Sequence, residues 1–520
     1  MSLLGSLLKA GVKLGNMVVY RPWIDSEPVQ RKELARLLSK ARTTAFGKTH
    51  NFQNILSKAL YRRDLSYYEA FKQLPVYDYS SMYRDWWYRV IAGEEDVCWP
   101  GQVKYFALSS GTSEASSKQI PVTKAMSKAI QRTSIRQILA LGQYKDLPDD
   151  LYEKGFLMLS GSTSLSQIGH RYEGDLSGIS ISQIPFWFKP YYKPGADIAK
   201  TKDWEAKLNE ITREAYKWDI GYIVGVPAWL QLLLERIIDH YKVQHIHEIW
   251  PNLHVFAHGG VSFEPYKKGF RKLLGRPIHY IETYLASEGF LAYQTHPEAK
   301  GMQLVLDNNI FFEFVPFNNN NFDTDGNLMQ NPETYMLHQA EEGKEYALLI
   351  STCSGAWRYL IGDTVKIVDK RKAEIVITGR TKHFLSLCGE HLSVDNMNKA
   401  IDLVSEELEI SVPEYTVIGK KNAKELFSHH WYIATNDVVD REKFKQLLDD
   451  RLKELNDDYA VERKHALDEI TVTLLPVKAF YGWMESRGKM GGQNKFPRVL
   501  KNKQIEEWES YVQSLGSSRA

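Results

Sequence analysis

The chain has 520 residues, of which 43% are hydrophobic and 25% are charged. This composition is ordinary for a globular protein, and the length exceeds what one hydrophobic core usually serves, so we expect two or more domains. The 66 lysines and arginines nearly balance the 64 aspartates and glutamates, so the net charge of +2 does not by itself imply a nucleic-acid or acidic-membrane partner, and specific local sites must carry the function.

Four leucines between residues 3 and 8 recur at helical spacing, and Lys9 and Lys13 interrupt the apolar run that a secretory signal would need. We expect an amphipathic helix packed on the body of the protein, with attachment to a membrane surface as the alternative. No segment is long and apolar enough to span a bilayer, and we expect a soluble cytoplasmic protein. The cysteines lack the paired spacing of a disulfide framework or a zinc site; they are Cys98, Cys353 and Cys388.

Helical and strand-like patterns alternate along the next part of the chain. Apolar residues recur with helical period over 30–48, before a glycine turn at Gly47, and again over 124–141. Short apolar runs that are typical of buried strands then alternate with helical patterns. The predicted strands are 222–226, 253–257 and 278–282, and the predicted helices are 229–239 and 266–274. This alternation predicts a large α/β domain with substantial parallel sheet.

The strand pattern then changes character. Residues 310–317 and 345–351 indicate antiparallel pairing, with a polar loop at 318–321 and a turn at 323–326 between them. Asp323 and Asp325 in that turn could be calcium ligands, but the rest of a calcium loop is missing, so a plain turn is favoured.

Beyond Gly379 and Arg380 the pattern is that of a compact α+β unit. Its predicted elements are a helix at 394–408, strands at 415–418 and 431–435, a helix at 440–455 and a strand at 469–475. The sequence therefore predicts two domains, a large one over residues 1–378 and a small one over residues 379–520.

Hydroxyl-bearing residues cluster around a glycine after a strand-like segment. They are Ser109, Ser110, Gly111, Thr112 and Ser113, with Lys118 downstream. Backbone N–H groups exposed by a glycine turn, hydroxyl groups and a lysine together supply what phosphate oxygens need. The spacing from the glycine to the lysine does not fit the Walker loop, and by composition alone a solvated turn is the commoner interpretation.

A second candidate, Tyr284-Leu285-Ala286-Ser287-Glu288, directly follows the predicted strand 278–282. Loops at the carboxyl ends of parallel strands are where open α/β sheets bind ligands. Glu288 could hold Mg²⁺, and Tyr284 could stack on a base. A surface glutamate beside a half-buried tyrosine is the alternative interpretation, and it is preferred for this segment on its own.

Two more segments could carry chemistry. Asp363 follows Gly362 just before the predicted strand 364–368, and an ionised carboxylate can accept hydrogen bonds from both ribose hydroxyls, although a plain hairpin turn is the commoner case. The loop 488–495 has glycines around polar residues and ends at Lys495. Such loops can deliver a lysine to developing negative charge, and a disordered basic loop is an equally good interpretation.

These four segments, in this order, resemble the Gretchen Hagen family of acyl-acid amido synthetases, within the adenylate-forming superfamily that includes acyl-CoA synthetases and firefly luciferase. The resemblance extends over nearly the whole chain. Further matching segments are 44–50, 99–101, Lys118-Gln119-Ile120-Pro121, Gly225-Val226-Pro227 with Trp229, Gly259-Gly260, 312–316 and Arg358-Tyr359. The chain departs from the family pattern at Ala115, where a second glycine is common, and at Trp357, where tyrosine is more usual.

The resemblance implies a fold with a large N-terminal adenylate-forming domain of mixed and parallel sheets and a small mobile α+β C-terminal domain. It also implies an ATP site. The loop 109–113 and Lys118 would contact the phosphates, Gly259, Gly260 and Tyr284 the adenine, Glu288 the metal and phosphate, and Asp363 the ribose, with Ser287 and Arg380 also in the nucleotide site. A hinge near Gly379 would bring Lys495 to join Lys118 and Glu288 as catalytic residues.

The implied reaction uses ATP and Mg²⁺ to convert a small carboxylic acid to an acyl-adenylate, which an amino acid amine then converts to an amide and AMP. Two alternatives stay open: an acyl-CoA ligase on the same scaffold, and a nucleotide-binding protein without turnover. A hydrolase is disfavoured because no serine lies in a nucleophile-elbow pattern.

Overall fold

The computed structural model describes residues 3–61, 66–109, 118–186, 188–323, 326–382, 392–421, 427–465, 467–491, 494–501 and 503–517. Helices form the first part of the chain, and a π-helical turn at Tyr83–Trp87 lies between the last two of them. The helices are α1 (Leu3–Val19), α2 (Ser26–Ala41), α3 (Ala45–Thr49), α4 (Phe52–Tyr61), α5 (Ser66–Phe71), α6 (Tyr79–Met82) and α7 (Tyr88–Ile91).

The helix predicted over 30–48 is two helices, α2 and α3. Thr44 adopts an extended conformation between them, its hydroxyl donates to the carbonyl of Ala41, and the same oxygen accepts from the N–H of Gly47. A threonine that caps a new helix in this way interrupts the old one. The glycine turn predicted at Gly47 is therefore wrong, because Gly47 lies inside α3.

The strands of the large unit build two sheets. They are β1 (Tyr105–Ser109), β2 (Lys118–Val122), β3 (Gly155–Met158), β4 (Ser166–Ile168), β5 (Arg171–Gly174), β6 (Tyr192–Lys193), β7 (Ile220–Gly225), β8 (Val255–Gly259), β9 (His279–Ala286), β10 (Gly289–Tyr293), β11 (Met302–Leu304), β12 (Ile310–Pro316), β13 (Glu345–Thr352), β14 (Tyr359–Asp369) and β15 (Glu374–Arg380). The smaller sheet has the order β2-β1-β5-β4.

In the described part of the chain, the larger sheet has eleven strands in the order β12-β13-β14-β15-β11-β10-β9-β8-β7-β3-β6. In this order, neighbouring strands from β9 through β8, β7 and β3 to β6 pair in parallel. Neighbouring strands from β12 to β9, at the other end of the sheet, pair antiparallel. This confirms the predicted change of character along the chain. It also confirms the expected large domain of mixed and parallel sheets.

Helices cover the parallel half of this sheet, as the alternating pattern predicts. Pro227 occupies the first turn of the helix Pro227–Tyr241, where a missing N–H costs nothing. The helices between β2 and β9 are α8 (Lys124–Ala140), α9 (Leu176–Ser182), α10 (Ala196–Ala199), α11 (Trp204–Glu214), α12 (Pro227–Tyr241) and α13 (Glu264–Leu273).

The last part of the chain has a three-stranded sheet whose strands pair in chain order, the first pair antiparallel and the second parallel. The α+β character is as predicted. Its elements are α14 (Val394–Glu407), β16 (Glu414–Lys421), β17 (Phe427–Ala434), α15 (Arg441–Leu455), α16 (Asp457–His465), β18 (Leu467–Leu475), α17 (Val477–Ser486) and α18 (Lys503–Ser517).

This C-terminal unit shares a hydrophobic core with the large unit. Phe480, Trp483 and Trp508 are buried in one cluster with Trp229 and Phe270 of α12 and α13. Gly379 and Arg380 lie in β15 and pair with β14, so the last strand of the large sheet extends to the predicted boundary. The boundary at residue 379 and the mobility of the small domain stay predictions.

Helix α1 packs on the body through its small and polar residues. Gly5 and Asn16 are buried, and the ammonium of Lys9 lies 2.8 Å from a carboxylate oxygen of Asp149. Leu4, Leu7, Leu8 and Leu14 are exposed. The helix is packed, as expected, but through a different face from the leucine face that the sequence pattern indicated. None of the helices in the described ranges is long and apolar enough to cross a membrane.

Cys98 and Cys353 are free and buried, and Cys388 lies outside the described residues. Asp323 accepts a hydrogen bond from the N–H of Asn327, which is how a carboxylate closes a turn. Its predicted companion Asp325 also lies outside the described residues.

Candidate active site

The parallel strands β7, β8 and β9 end at one edge of the large sheet, where Gly259 pairs with Thr283. A side chain on Gly259 would come within 2.4 Å of the Thr283 carbonyl oxygen, and Gly260 has a φ of +88°, which favours glycine. Both positions therefore require glycine. The edge keeps a bare backbone surface on which a flat ligand can lie, at the place where open α/β sheets bind ligands.

Tyr284 lies in a strand and not in a loop. β9 continues four residues beyond the predicted end at Glu282, and only Ser287 and Glu288 form the turn to β10. The Tyr284 ring is buried, and its hydroxyl donates to a carboxylate oxygen of Asp363 at 2.5 Å. The prediction that Tyr284 stacks on adenine stays a prediction.

Asp363 likewise lies inside a strand, β14, and not in a hairpin turn. The register between β13 and β14 shifts beside it, and Gly362 has a φ of +89° in this irregularity. Such a bulge aims a side chain out of the regular pattern of the sheet. Arg380 is the register partner of Asp363 in β15, and its Nε lies 2.9 Å from the second carboxylate oxygen. Asp363 and Arg380, both predicted from the sequence to lie in the nucleotide site, are thus in contact.

Glu288 is buried beside this pair. Burial raises the pKa of its carboxyl to about 7, with the nearby charge of Asp363 adding to the effect and Lys118 and Arg380 opposing it. The buried Tyr359 hydroxyl lies near Glu288; burial is the main reason that the pKa of Tyr359 is raised, and the charge of Glu288 adds to the effect. A buried carboxyl group whose pKa is shifted this far, beside charged partners at a strand end, is a candidate functional residue.

The two tyrosine–carboxylate pairs are crossed. Tyr284 and Glu288 are four residues apart in one segment, and Tyr359 and Asp363 are four residues apart in the other. Each tyrosine lies near the carboxylate of the other segment, and Tyr284 donates a hydrogen bond to Asp363. The repeated spacing of a tyrosine and a carboxylate is a signal that sequence offered, and the sequence analysis did not use it.

Lys118 begins β2 and lies at the same site. Burial lowers the pKa of its ammonium, and the charges of Glu288 and Asp78 act in the opposite direction. Its Nζ lies 5.4 Å from the centre of the Tyr79 ring. Ser109, at the end of β1, is the register partner of Lys118. The predicted phosphate residues Ser110, Gly111, Thr112 and Ser113 lie outside the described residues.

Lys495 reaches this site from the C-terminal unit. Its ammonium donates a hydrogen bond to the carbonyl of Gly260. Lys495 is exposed at the surface of the site. Desolvation of the ammonium by the surrounding protein is the main cause that lowers the pKa of Lys495 to about 8. The positive charge of Arg380 adds to this effect, and the negative charge of Asp363 opposes it. The segment is held in place one residue earlier, where the indole N–H of Trp229 donates to the Asn494 carbonyl at 3.1 Å.

Two charged residues near the site were missed by sequence. The charge of Asp78 raises the pKa of Lys118, and the charge of Lys382 lowers it. Asp78 accepts a hydrogen bond from the N–H of Ser81 and caps α6. The sequence pattern around it is therefore that of an ordinary helix cap and does not indicate a functional site. Lys382 follows the last strand of the large sheet, and no local pattern distinguishes it from a surface lysine.

Two solved structures share the fold of this chain. The structure of GH3.15 acyl acid amido synthetase superposes with a TM-score of 0.74 and 16% identity, over 97% of this chain and 96% of that one. A 2-hydroxyisobutyryl-CoA ligase in the postadenylation state matches with a TM-score of 0.57 and 12% identity, over 95% and 92% of the two chains. The chain therefore has the fold of the adenylate-forming enzymes.

The family follows from three family models. The GH3 family N-terminal domain matches residues 24–192, the GH3 family central domain residues 303–380, and the GH3 family C-terminal domain residues 395–504. Together these matches include more than half of the chain. The chain belongs to the Gretchen Hagen, or GH3, family, and the resemblance found in the sequence motifs is confirmed.

Curated relatives match over shorter stretches. The chain is 25% identical to the indole-3-acetic acid-amido synthetase GH3.4 of Arabidopsis thaliana over 281 residues, 49% of this chain and 45% of that protein. It is 32% identical to the jasmonoyl–L-amino acid synthetase JAR4 of Nicotiana attenuata over 126 residues, 24% of this chain and 21% of that protein. The chain thus spans less than half the length of these relatives.

Proposed function

We propose that this protein activates a small carboxylic acid with ATP to an acyl-adenylate and transfers the acyl group to the amine of an amino acid. The observation that carries the proposal is the meeting of Lys495 from the C-terminal unit with Gly260, next to Asp363, at the carboxyl edge of the parallel strands. This arrangement combines a bare backbone platform, a carboxylate pair and three cations, Lys118, Arg380 and Lys495.

The nucleotide would bind along this edge. Adenine is proposed to lie on the backbone at Gly259 and Gly260, with Ser287 at the adjacent turn. Asp363 would accept hydrogen bonds from the ribose hydroxyls through lone pairs left over from its bonds to Tyr284 and Arg380.

The triphosphate would extend from this edge towards Lys118 and the loop 109–113. Lysine and arginine supply the positive charge that phosphate oxygens require, and hydroxyl and backbone N–H groups supply further donors. We therefore expect Arg380 and Lys118 to bind opposite ends of the phosphate chain.

The residues present fit a hard divalent cation. Mg²⁺ prefers oxygen ligands and usually takes one or two carboxylates together with substrate phosphates, and Glu288 is a buried carboxylate whose ionised form is held back by burial. Mg²⁺ bound there would neutralise charge on the phosphates.

In the first step a carboxylate oxygen of the acid forms a bond to the α-phosphorus, the bond to the bridging oxygen of the β-phosphate breaks, and pyrophosphate leaves. Lys118 and Lys495 would donate hydrogen bonds to oxygens on which charge develops, and such preorganised donors are usually the largest catalytic term. Holding two anions in line is the second contribution of the site.

In the second step the amine nitrogen attacks the carbonyl carbon of the mixed anhydride and AMP leaves with the former carboxylate oxygen. An amine is preferred to coenzyme A as the second nucleophile because the family models are those of GH3 proteins and the GH3.15 structure superposes better than the CoA ligase. Both curated relatives above are named as amido synthetases.

The experiment has two stages. Acid-dependent exchange of labelled pyrophosphate into ATP, over a panel of aryl, indolyl and aliphatic acids, reports the first step. Mass spectrometry of reactions with mixed amino acids, or with coenzyme A alone, then identifies the second nucleophile. An amide product supports the proposal, and a thioester without any amide would replace it with a CoA ligase. Lack of exchange with every acid, under conditions where ATP binds, would favour a non-catalytic nucleotide-binding protein.

A further inference from the structure

The outward face of α1 is apolar along the length of the helix. The exposed fraction is 64% for Leu7, 65% for Leu14, 77% for Met17 and 82% for Val18. Trp23, shortly after the helix, is 76% exposed. Single exposed apolar residues are normal on a protein surface, but several large ones along one helix mark an interaction surface. We call this row, together with Leu4 and Leu8, the α1 face.

The contacts beneath α1 fix the direction in which this face points. Gly5 approaches the backbone of Asp149 so closely that a side chain there would come within 2.7 Å of a carbonyl oxygen. Ser6 donates to the Asp149 carboxylate at 2.9 Å, on the same inner side as Lys9. Gly15 lies against the side chain of Leu139 in α8. The Asp149 carboxylate thus lies on the inner side of α1, and the exposed leucines lie on its outer side.

The neighbouring helix α8 adds a row of cations. Lys124, Lys128 and Arg132 are exposed and follow one another at intervals of four residues, which places them in one line on a helix. Ile135, 46% exposed, and then Leu139 continue the line to the contact with α1. Neither α1 nor α8 contains an acidic residue.

We propose that the α1 face and the basic row of α8 bind an anionic phospholipid surface. Exposed apolar side chains on a helix, with lysines and arginines nearby, are the features by which a helix lies in a membrane interface. Basic residues near the surface attract anionic headgroups. A second copy of this chain is a poorer occupant, because it would bring two cationic surfaces together.

The test uses the full chain and vesicles of phosphatidylcholine with or without phosphatidylserine. Cosedimentation should show binding to vesicles that contain phosphatidylserine, weakened by added salt. The double variant Leu7→Glu, Leu14→Glu should bind them at least about tenfold more weakly, because it places charge in the apolar layer. The control Val438→Glu, at a fully exposed apolar residue of the C-terminal unit, should bind like the wild-type protein.

A second arm tests the charges. Lys128→Glu with Arg132→Glu should weaken binding to phosphatidylserine vesicles by at least about tenfold and remove most of its salt dependence. The thermal unfolding of all variants should match that of the wild type, since every changed side chain is exposed. The proposal is overturned if the wild type binds neither kind of vesicle, or if the leucine variant binds as well as the wild type. It is also overturned if sedimentation velocity without lipid shows a dimer that the leucine variant abolishes.

Discussion

At the scale of single residues, the site depends on side chains that hold other side chains. Asp363 is engaged on both sides, by the Tyr284 hydroxyl and by the Arg380 guanidinium, and Glu288 is buried near Tyr359. Sequence predicted the two carboxylates and the arginine from motifs. It could not predict the crossed pairing, because that depends on which strands the sheet places side by side.

Asp363→Asn should lower kcat/KM for ATP in the exchange reaction by about tenfold to a hundredfold. The amide keeps the shape and can still accept from Tyr284, but it loses the charge that strengthens hydrogen bonds to ribose, a change of about 1.5–3 kcal/mol. The exchange rate as a function of ATP concentration measures this. Asp307→Asn is the control, since it also breaks an aspartate–arginine pair, with Arg136 outside the site. Equal kinetics of Asp363→Asn and wild type would remove Asp363 from the nucleotide site.

At the scale of helices and strands, most predicted elements are present, and the errors have local causes. The helix over 30–48 breaks at the Thr44 cap, and β9 runs past its predicted end because Tyr284 and Leu285 pair with β10. Period alone marked the leucines of α1 as one face of a helix. It could not say that the glycine-containing face is the one that packs, because close approach to Asp149 and Leu139 is a tertiary property.

The contact between α13 and α14 gives a prediction for pH. Burial, together with Glu264 and Glu406, raises the pKa of Asp402 to about 6, and Lys267 and Arg271 act in the opposite direction. A carboxyl whose pKa is higher in the folded than in the unfolded state favours folding at acidic pH, and that contribution is lost as the pH rises through about 6. Asp402→Asn should therefore raise the free energy of unfolding by about 1 kcal/mol at pH 8 and by less at pH 5.

Urea unfolding at the two pH values measures this difference. Asp395→Asn is the matched control on the same helix, because Asp395 is paired with Lys399 at the surface and should give no gain at pH 8. A loss of stability of Asp402→Asn at pH 8, or an equal change at both pH values, would contradict the electrostatic explanation.

At the scale of the whole molecule, the position of the C-terminal unit decides whether Lys495 is in the site. Tyr266 of the large unit donates to Glu414 at 2.7 Å, and Arg498 lies 2.6 Å from the other oxygen of the same carboxylate. Arg498 is three residues beyond Lys495, so this buried contact fixes the segment that carries the lysine. Sequence predicted a lysine from this loop, but not the contact that holds it.

Tyr266→Phe should lower acid-dependent pyrophosphate exchange by about fivefold to tenfold, since one hydrogen bond to a charged group no longer favours this arrangement of the two units. Tyr459→Phe is the matched control: it removes a tyrosine–aspartate hydrogen bond of 2.7 Å, to Asp449, within the C-terminal unit. Both variants should lose comparable stability in urea, and only Tyr266→Phe should lose exchange. Equal exchange rates in the two variants would mean that the contact has no part in positioning Lys495.

The most direct measurement follows an oxygen atom. If a carboxylate oxygen attacks the α-phosphorus, an acid labelled with ¹⁸O in its carboxylate must leave one labelled oxygen in AMP when the amine displaces the nucleotide. Mass spectrometry of the AMP from such a reaction should find this single label, and Asp363→Asn should form labelled AMP at a lower rate in proportion to its exchange. Label in inorganic phosphate, with ADP as the nucleotide product, or unlabelled AMP would contradict an acyl-adenylate at this site.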